Sequence, residues 1–326
     1  MKRAPLFVAA FVCLVFPFFS KGSGREFVAD MLIFAILAIG LYVQVGLLGM
    51  VNFGFAAFFG LGAYAGALLL SRWTSALVPS LVLSILGVGL IALLFGALAI
   101  RLRHTAFTIL TLTFSQLLYV LAVADDHFTD GINGVIGVPR PTFPKWMMQA
   151  TGVTLDSDTG YYYFVLIVFA LVVWGVHVLQ RSRLGAVFAG IRENEERMVV
   201  LGYAVSRYKL AGFVISSAIG ALAGYLNAAL YGYAGPTSLF WTVSGEAILM
   251  VTLGGTASLL GPVVGALGIT SLSHYAVAVT DHWRLFVGLV FIAIVLYAPQ
   301  GLVPILQQRL RRRPAKRKVP APEHAT

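Results

Sequence analysis

Ala76-Leu-Val-Pro-Ser-Leu-Val-Leu-Ser-Ile-Leu-Gly-Val-Gly-Leu-Ile-Ala-Leu-Leu-Phe-Gly-Ala-Leu-Ala-Ile100 runs for 25 residues without a charge. A helix needs about 20 apolar residues to cross a bilayer, so this stretch reads as a membrane span. Its surroundings extend that reading. Between Asp30 and Asp125 there is no acidic residue, and the basic ones are Arg72, Arg101 and Arg103. Charge is expensive at a bilayer centre, and runs this long are what that cost selects. Over the whole chain of 326 residues, 59% are hydrophobic and 11% charged, against roughly 25% charged in a soluble domain. The apolar runs do not alternate, so a lipid-facing barrel is excluded in favour of helices.

Cutting at charges and turn residues gives ten candidate spans, near 5–20, 27–48, 54–71, 76–100, 105–124, 161–180, 209–230, 244–259, 262–280 and 285–304. The first follows Lys2 and Arg3 and is short enough for a signal peptide. It has no small-x-small cleavage site before Lys21, so a retained helix is expected. Orientation follows from the basic residues. The loop 181–209 carries Arg181, Arg183, Arg192, Arg197, Arg207 and Lys209, and seven more lie between Arg309 and Lys318, whereas the loop 125–160 has only Arg140 and Lys145. Placing the first two groups inside satisfies all ten spans, with both termini cytoplasmic. Spans one to five then run outward overall and six to ten inward, which gives two five-helix halves of opposite topology. The expected organisation is an N-terminal membrane helix and short outer loop (1–26), a transmembrane domain (27–304) and a basic cytoplasmic tail (305–326).

The net charge of +10 sits at the termini and in one loop, which speaks for membrane topology and against nucleic acid. Cys13 is the only cysteine, so neither an internal disulfide nor a cysteine-based metal site is available. Gly60-Leu-Gly62-Ala-Tyr-Ala65 satisfies a loose dinucleotide fingerprint, but no strand precedes it and no acid follows at the needed distance. Gly254-Gly255-Thr-Ala-Ser-Leu-Leu-Gly261-Pro262 lacks the Gly-Lys-Ser/Thr ending of a phosphate loop, as does the rest of the chain. ATP, if it drives this protein, is hydrolysed by another polypeptide. The four-residue pairs Gly62/Gly66, Gly220/Gly224 and Gly261/Gly265 read as close helix packing, with a glycine-broken helix lining a pathway as the alternative.

In the loop 181–209, Leu184, Val187, Phe188, Ile191, Met198 and Val199 fall largely on one helical face. Arg192, Glu193, Asn194, Glu195, Glu196 and Arg197 are interposed, and Gly202 ends the pattern. Such a helix docks in a partner's groove or lies on lipid; its mixed charge favours docking. Polar residues within spans mark pathways or bond across helices. The candidates are Gln44, Asn52, Ser115, Gln116, Asn227, Ser244 and Glu246, with Tyr42, Tyr64 and Tyr225 nearby. Asp30 and Glu246 read as interfacial carboxylates at outer helix ends. Asp125-Asp126-His127 opens a solvated loop rather than a metal site. No convergent catalytic set is visible, so we expect no enzyme, and the few buried titratable groups argue against a proton- or sodium-driven carrier working alone.

Several motifs in order carry a family resemblance: Gly46-Leu-Leu-Gly49 through Gly54-Phe-Ala-Ala-Phe-Phe-Gly-Leu-Gly-Ala-Tyr64; Arg101-Leu-Arg103 through Thr111-Leu-Thr-Phe-Ser-Gln116; Thr129-Asp-Gly131 through Gly134-Val-Ile-Gly137-Val-Pro139; Ser182-Arg-Leu-Gly185 through Ile191-Arg-Glu-Asn-Glu195 and Gly202; Tyr208-Lys-Leu; and Gly254-Gly255 through Gly261-Pro262. From about residue 30 to 304 the chain resembles the LivM-type permeases of branched-chain amino acid ABC importers. The resemblance implies a plasma (inner) membrane pore shared with a second, LivH-like permease. Two ABC ATPase subunits that bind the ATP and an extracytoplasmic solute-binding protein complete the assembly. It also implies an ATPase-coupling segment from Ile191 to Gly202 that includes Arg192, Glu193, Asn194 and Glu195. Phe55, Asp130, Ala257 and the run Glu196-Arg197-Met198 depart from the family pattern. The solute is therefore left open among branched-chain amino acids, other amino acids, urea and short amides.

Overall fold

The computed structural model describes residues 22–102, 104–144 and 154–279, with isolated positions between 282 and 303. The expected span at 5–20, Cys13 and the basic tail lie outside the described residues, as does nearly all of 285–304. Ten α-helices are described: α1 (Gly22–Tyr42), α2 (Phe55–Leu68), α3 (Leu77–Ala99), α4 (His104–Ala124), α5 (Asp158–Arg181), α6 (Arg183–Glu193), α7 (Glu195–Val200), α8 (Val205–Tyr231), α9 (Trp241–Gly254) and α10 (Leu260–Val279). A two-residue ladder pairs β1 (Val135–Ile136) with β2 (Tyr233–Ala234). Among the described residues, seven helices are long and apolar enough to cross a membrane.

Helix α3 shows how lipid is accommodated. It buries Ser80, Ser84, Val88, Ala92 and Gly96 at four-residue spacing and exposes Val82, Leu86, Leu90, Leu93, Leu94 and Leu98. In water the large residues would turn inward. In a bilayer they meet lipid, and small residues let helices approach. Ser80 Oγ lies 2.7 Å from the Tyr225 hydroxyl and Ser84 Oγ donates to the Gly62 carbonyl, so both polar groups are met within the protein.

At the centre, α8 packs on α1, α2 and α3. A methyl group on Gly224 would stand 1.8 Å from the Phe59 carbonyl oxygen, and one on Gly62 would stand 2.2 Å from that of Ala221. The backbones of α2 and α8 therefore touch where the paired glycines predict packing. Tyr161 adds a bond of 2.6 Å from its hydroxyl to the Leu226 carbonyl.

One expected span does not form as such. The stretch 244–259 is helical only as α9, 14 residues long, about 21 Å against a hydrocarbon core of about 30 Å. Gly255 ends it at φ 93°, a conformation that costs glycine little. The chain then turns into α10, and Gly254 abuts the carbonyl of Gly261. Neither ten spans nor two opposed halves are established by the described helices.

Candidate functional site

Two regions bring the candidate residues together. The first is at the end of the bundle carrying the basic loop. Ser182 caps α6, accepting from Gly185 N–H, and Asn194 caps α7, accepting from Arg197 N–H. The expected single amphipathic helix is therefore two, because Asn194 takes extended backbone (φ −159°, ψ 102°) to reach its capping position. Gly202 closes α7 at φ 86°. Its N–H bonds Val199 O and that of Tyr203 bonds Met198 O, the paired ending that a left-handed glycine allows.

Phe188, Ile191 and Met198 are buried, while Val199, Val200, Leu201 and Tyr203 form an apolar tip; Val200 is 86% exposed. Two cations tie these short helices to the bundle. Arg192 Nη1 donates to the Gly46 carbonyl, within the π-helical turn Val43–Leu48 that ends α1. The backbone of Gly49 also lies close against the Arg192 side chain. Lys209 Nζ, in the second turn of α8, meets Glu195 Oε2 at 2.5 Å. π-turns often mark functional positions in helices, and here the irregular end of a span is held by an arginine from the loop.

The second region is inside the bundle. Between α1 and α2 the chain is not helical from Gly49 to Gly54. Thr108 Oγ1 donates to Val51 O, and Gly54 presses on the Thr111 carbonyl, so the break runs beside the early turns of α4. From the other side, the segment after α8 turns back into the bundle. Its short 3₁₀ turn Pro236–Leu239 ends at the Leu239 carbonyl, which accepts from Ser115 Oγ at 2.6 Å. Ser115 stands midway along α4, so α9 begins deep within the bundle. Irregular backbone at such depth survives only where protein satisfies it. Here Asn52 Oδ1 accepts Gly54 N–H at 2.8 Å and Ser244 Oγ accepts Ala56 N–H at 2.7 Å. The Ser244 bond fastens the first turn of α9 to the first turn of α2.

The remaining candidates divide. Gln44 donates to Ser216 Oγ at 3.0 Å, and Ser216 donates to the Gly40 carbonyl, so Gln44 joins α1 to α8. Its Oε1, together with Asn52 Nδ2, the Tyr64 hydroxyl, Gln116 Nε2 and Asp30 Oδ1, is buried without a hydrogen-bond partner among the described residues. Each such group costs about 1–3 kcal/mol. Asn227 is half-buried on α8. Tyr42 accepts from Gln180 Nε2 at 2.9 Å. Asp125 Oδ1 accepts from His127 N–H and Phe128 N–H, so it serves the turn that follows α4.

Sequence reasoning missed three features. Asp30 is not at a helix end: α1 starts at Gly22 rather than near 27, leaving the side chain 9% exposed with the Tyr231 hydroxyl bonded to it and Glu246 close by. Ser216 and Ser217 are fully buried on α8. The tie between Glu195 and Lys209 spans 14 positions, and no local pattern announces it.

Comparison with known proteins relates this chain to transport proteins. A family described as "Branched-chain amino acid transport system / permease component" matches residues 25–295. The LivM permease of the high-affinity branched-chain amino acid system of Salmonella typhimurium is 28% identical over 92% of this chain and 74% of its own length. Its Escherichia coli counterpart is 28% identical over 95% and 77%. The LivH permease of Salmonella typhimurium is 23% identical over 83% of this chain and 91% of its own. No solved structure matches the chain significantly. With the family model spanning most of the sequence and seven helices fit to cross a membrane, this multi-pass chain belongs to the permease components of branched-chain amino acid transport systems.

Proposed function

We propose that this chain forms half of the translocation pathway of an ABC importer for branched-chain or related amino acids. A LivH-like permease supplies the other half. Two ATPase subunits dock on the cytoplasmic side, and a solute-binding protein delivers from outside. Both termini lie in the cytoplasm. The observation that carries this reading is the attachment of α6 and α7 to the spans: Arg192 holds the π-turn of α1 through Gly46, and Glu195 holds α8 through Lys209.

The mechanics follow from those two ties. The exposed tip Val199–Tyr203 is apolar and framed by Glu193, Glu196 and Arg197, which suits a groove in a partner. When ATP draws the ATPases together, a displaced tip pulls on α1 and α8 at once. These helices meet again at Gln44, Ser216 and Gly40, in the stretch that leads into the break at 49–54. Packed interfaces switch between discrete arrangements rather than deforming continuously, so a shift at α7 opens or closes the pathway beside that break.

Reconstitution with the partner subunits tests this. Leucine uptake into proteoliposomes that requires ATP, the ATPases and the binding protein is the expected result. Uptake by the purified chain alone, without ATP, refutes the reading and favours a solitary carrier.

A further inference from the structure

Asn52 belongs to the break before α2, and its side chain is 0% exposed. Its Oδ1 is committed to Gly54 N–H, so its position at the head of α2 is fixed. Its Nδ2 has no acceptor among the described residues. The Ser244–Ala56 bond holds the head of α9 against the same place. Helix α9 has Phe240 at its N-cap position and no side-chain cap. Two helix heads thus converge on one buried, unused amide donor. Helix N-termini favour negative charge, and an amide N–H donates only. Asn52 Nδ2 is without an acceptor among the described residues, and the first turn of α9 is without a side-chain cap.

We propose that Asn52 Nδ2 and the uncapped first turn of α9 receive the carboxylate of the transported amino acid as it passes the break. The assignment rests on the importer reading above and adds the solute group that is read. A carboxylate supplies acceptors to both the amide and the helix head without needing a cation in the membrane. A purely structural role for Asn52 is already met by its Oδ1 and leaves Nδ2 without a use. An uncharged solute such as a short amide would gain nothing from the helix termini beyond an ordinary hydrogen bond.

The test uses the complete complex and tritiated leucine. Asn52→Asp keeps the oxygen that caps Gly54 and replaces the donor with an oxygen that repels a carboxylate. Uptake by the variant complex is expected to fall by about ten-fold or more, the scale of losing a hydrogen bond to a charged group. Uptake within about two-fold of the unaltered complex overturns the assignment. If the variant does not assemble, melting of the unaltered chain in detergent decides the matter. Leucine should raise the melting temperature, while leucinol, which has a hydroxymethyl group in place of the carboxylate, should not. Equal shifts, or none with either compound, overturn the assignment. Absence of leucine uptake by the unaltered complex is a different outcome, because it refutes the importer reading itself.

Discussion

Arg192 reaches from α6 into the transmembrane bundle and donates from Nη1 to the backbone carbonyl of Gly46. Its partner is a main-chain oxygen in the π-turn that ends α1. The side chain therefore grips the bundle rather than the surface where a partner docks. Replacing it with alanine should leave the ATPases bound and hydrolysing but disconnect them from the pathway. We expect Arg192→Ala to lower leucine uptake per ATP by about ten-fold, the range of ordinary coupling energies. Parallel uptake and hydrolysis assays on proteoliposomes check this. Loss of the ATPases on purification would instead place Arg192 at the docking surface.

The docking surface itself should be the apolar tip. Val200 is 86% exposed, so Val200→Asp should change the chain's stability by no more than about 0.5 kcal/mol. A charge buried at the centre of an interface costs far more, about 2 kcal/mol at a typical hot spot. That corresponds to roughly thirty-fold weaker ATPase binding. Co-purification from detergent should reveal it, with an unchanged melting temperature as the control for folding.

Much of this arrangement could be read from residues in order, and what could not has identifiable causes. The charge-free run from Ala76 to Ile100 announces α3 because lipid makes composition alone decisive. Gly62, Gly66, Gly220 and Gly224 announce helix contact because only small residues permit it. The shortness of α9 was hidden: its residues are as apolar as those of a true span, and the deep turn before it, 236–239, carries no charge to mark its depth. The split between α6 and α7 turns on Asn194, whose capping role competes with a helical periodicity that runs straight through it. Asn52, Tyr64 and Gln116 were legible as polar residues in apolar surroundings, but whether each was bonded depended on partners far away in sequence. Asn52 is anchored by one atom and left open at the other, which no pattern of residue types distinguishes.

Glu195 and Lys209 offer a test of the second tie. Lys209 stands near the N-terminus of α8, where a cation opposes the helix dipole, and the nearby carboxylate offsets it. The pair is partly exposed, so its share of stability is small, about 0.2–1 kcal/mol. Glu195→Gln should therefore move the melting temperature little. Its effect should fall on transport, because the bond joins α7 to a helix that packs against the π-turn leading into the break. The exchange Glu195→Lys with Lys209→Glu restores the attraction with reversed sign. Recovery of uptake in the double variant, measured against both single variants, identifies the pair as a mechanical link. A double variant as poor as the singles would show that Glu195 acts through some other contact.

The crossing of α2 and α8 is set by backbone contact at Gly224. A methyl group on Gly224 would stand 1.8 Å from the Phe59 carbonyl oxygen and 2.9 Å from the Ala63 nitrogen. Both are backbone atoms in the middle of α2, so no side chain can turn aside. The helices must separate, which draws α2 away from α8 and loosens the Ser244–Ala56 junction beyond it. Overpacking of this kind costs about 1–3 kcal/mol or more, so Gly224→Ala should lower the melting temperature by several degrees and reduce uptake with it. Gly175 on α5 and Gly87 on α3 have nothing within 4 Å of the added carbon, and alanine there should be neutral or slightly stabilising because it favours the helix. Melting curves for the three variants in one detergent separate a contact effect from a general intolerance of glycine replacement. Equal destabilisation at all three positions would remove the close-packing account of this crossing.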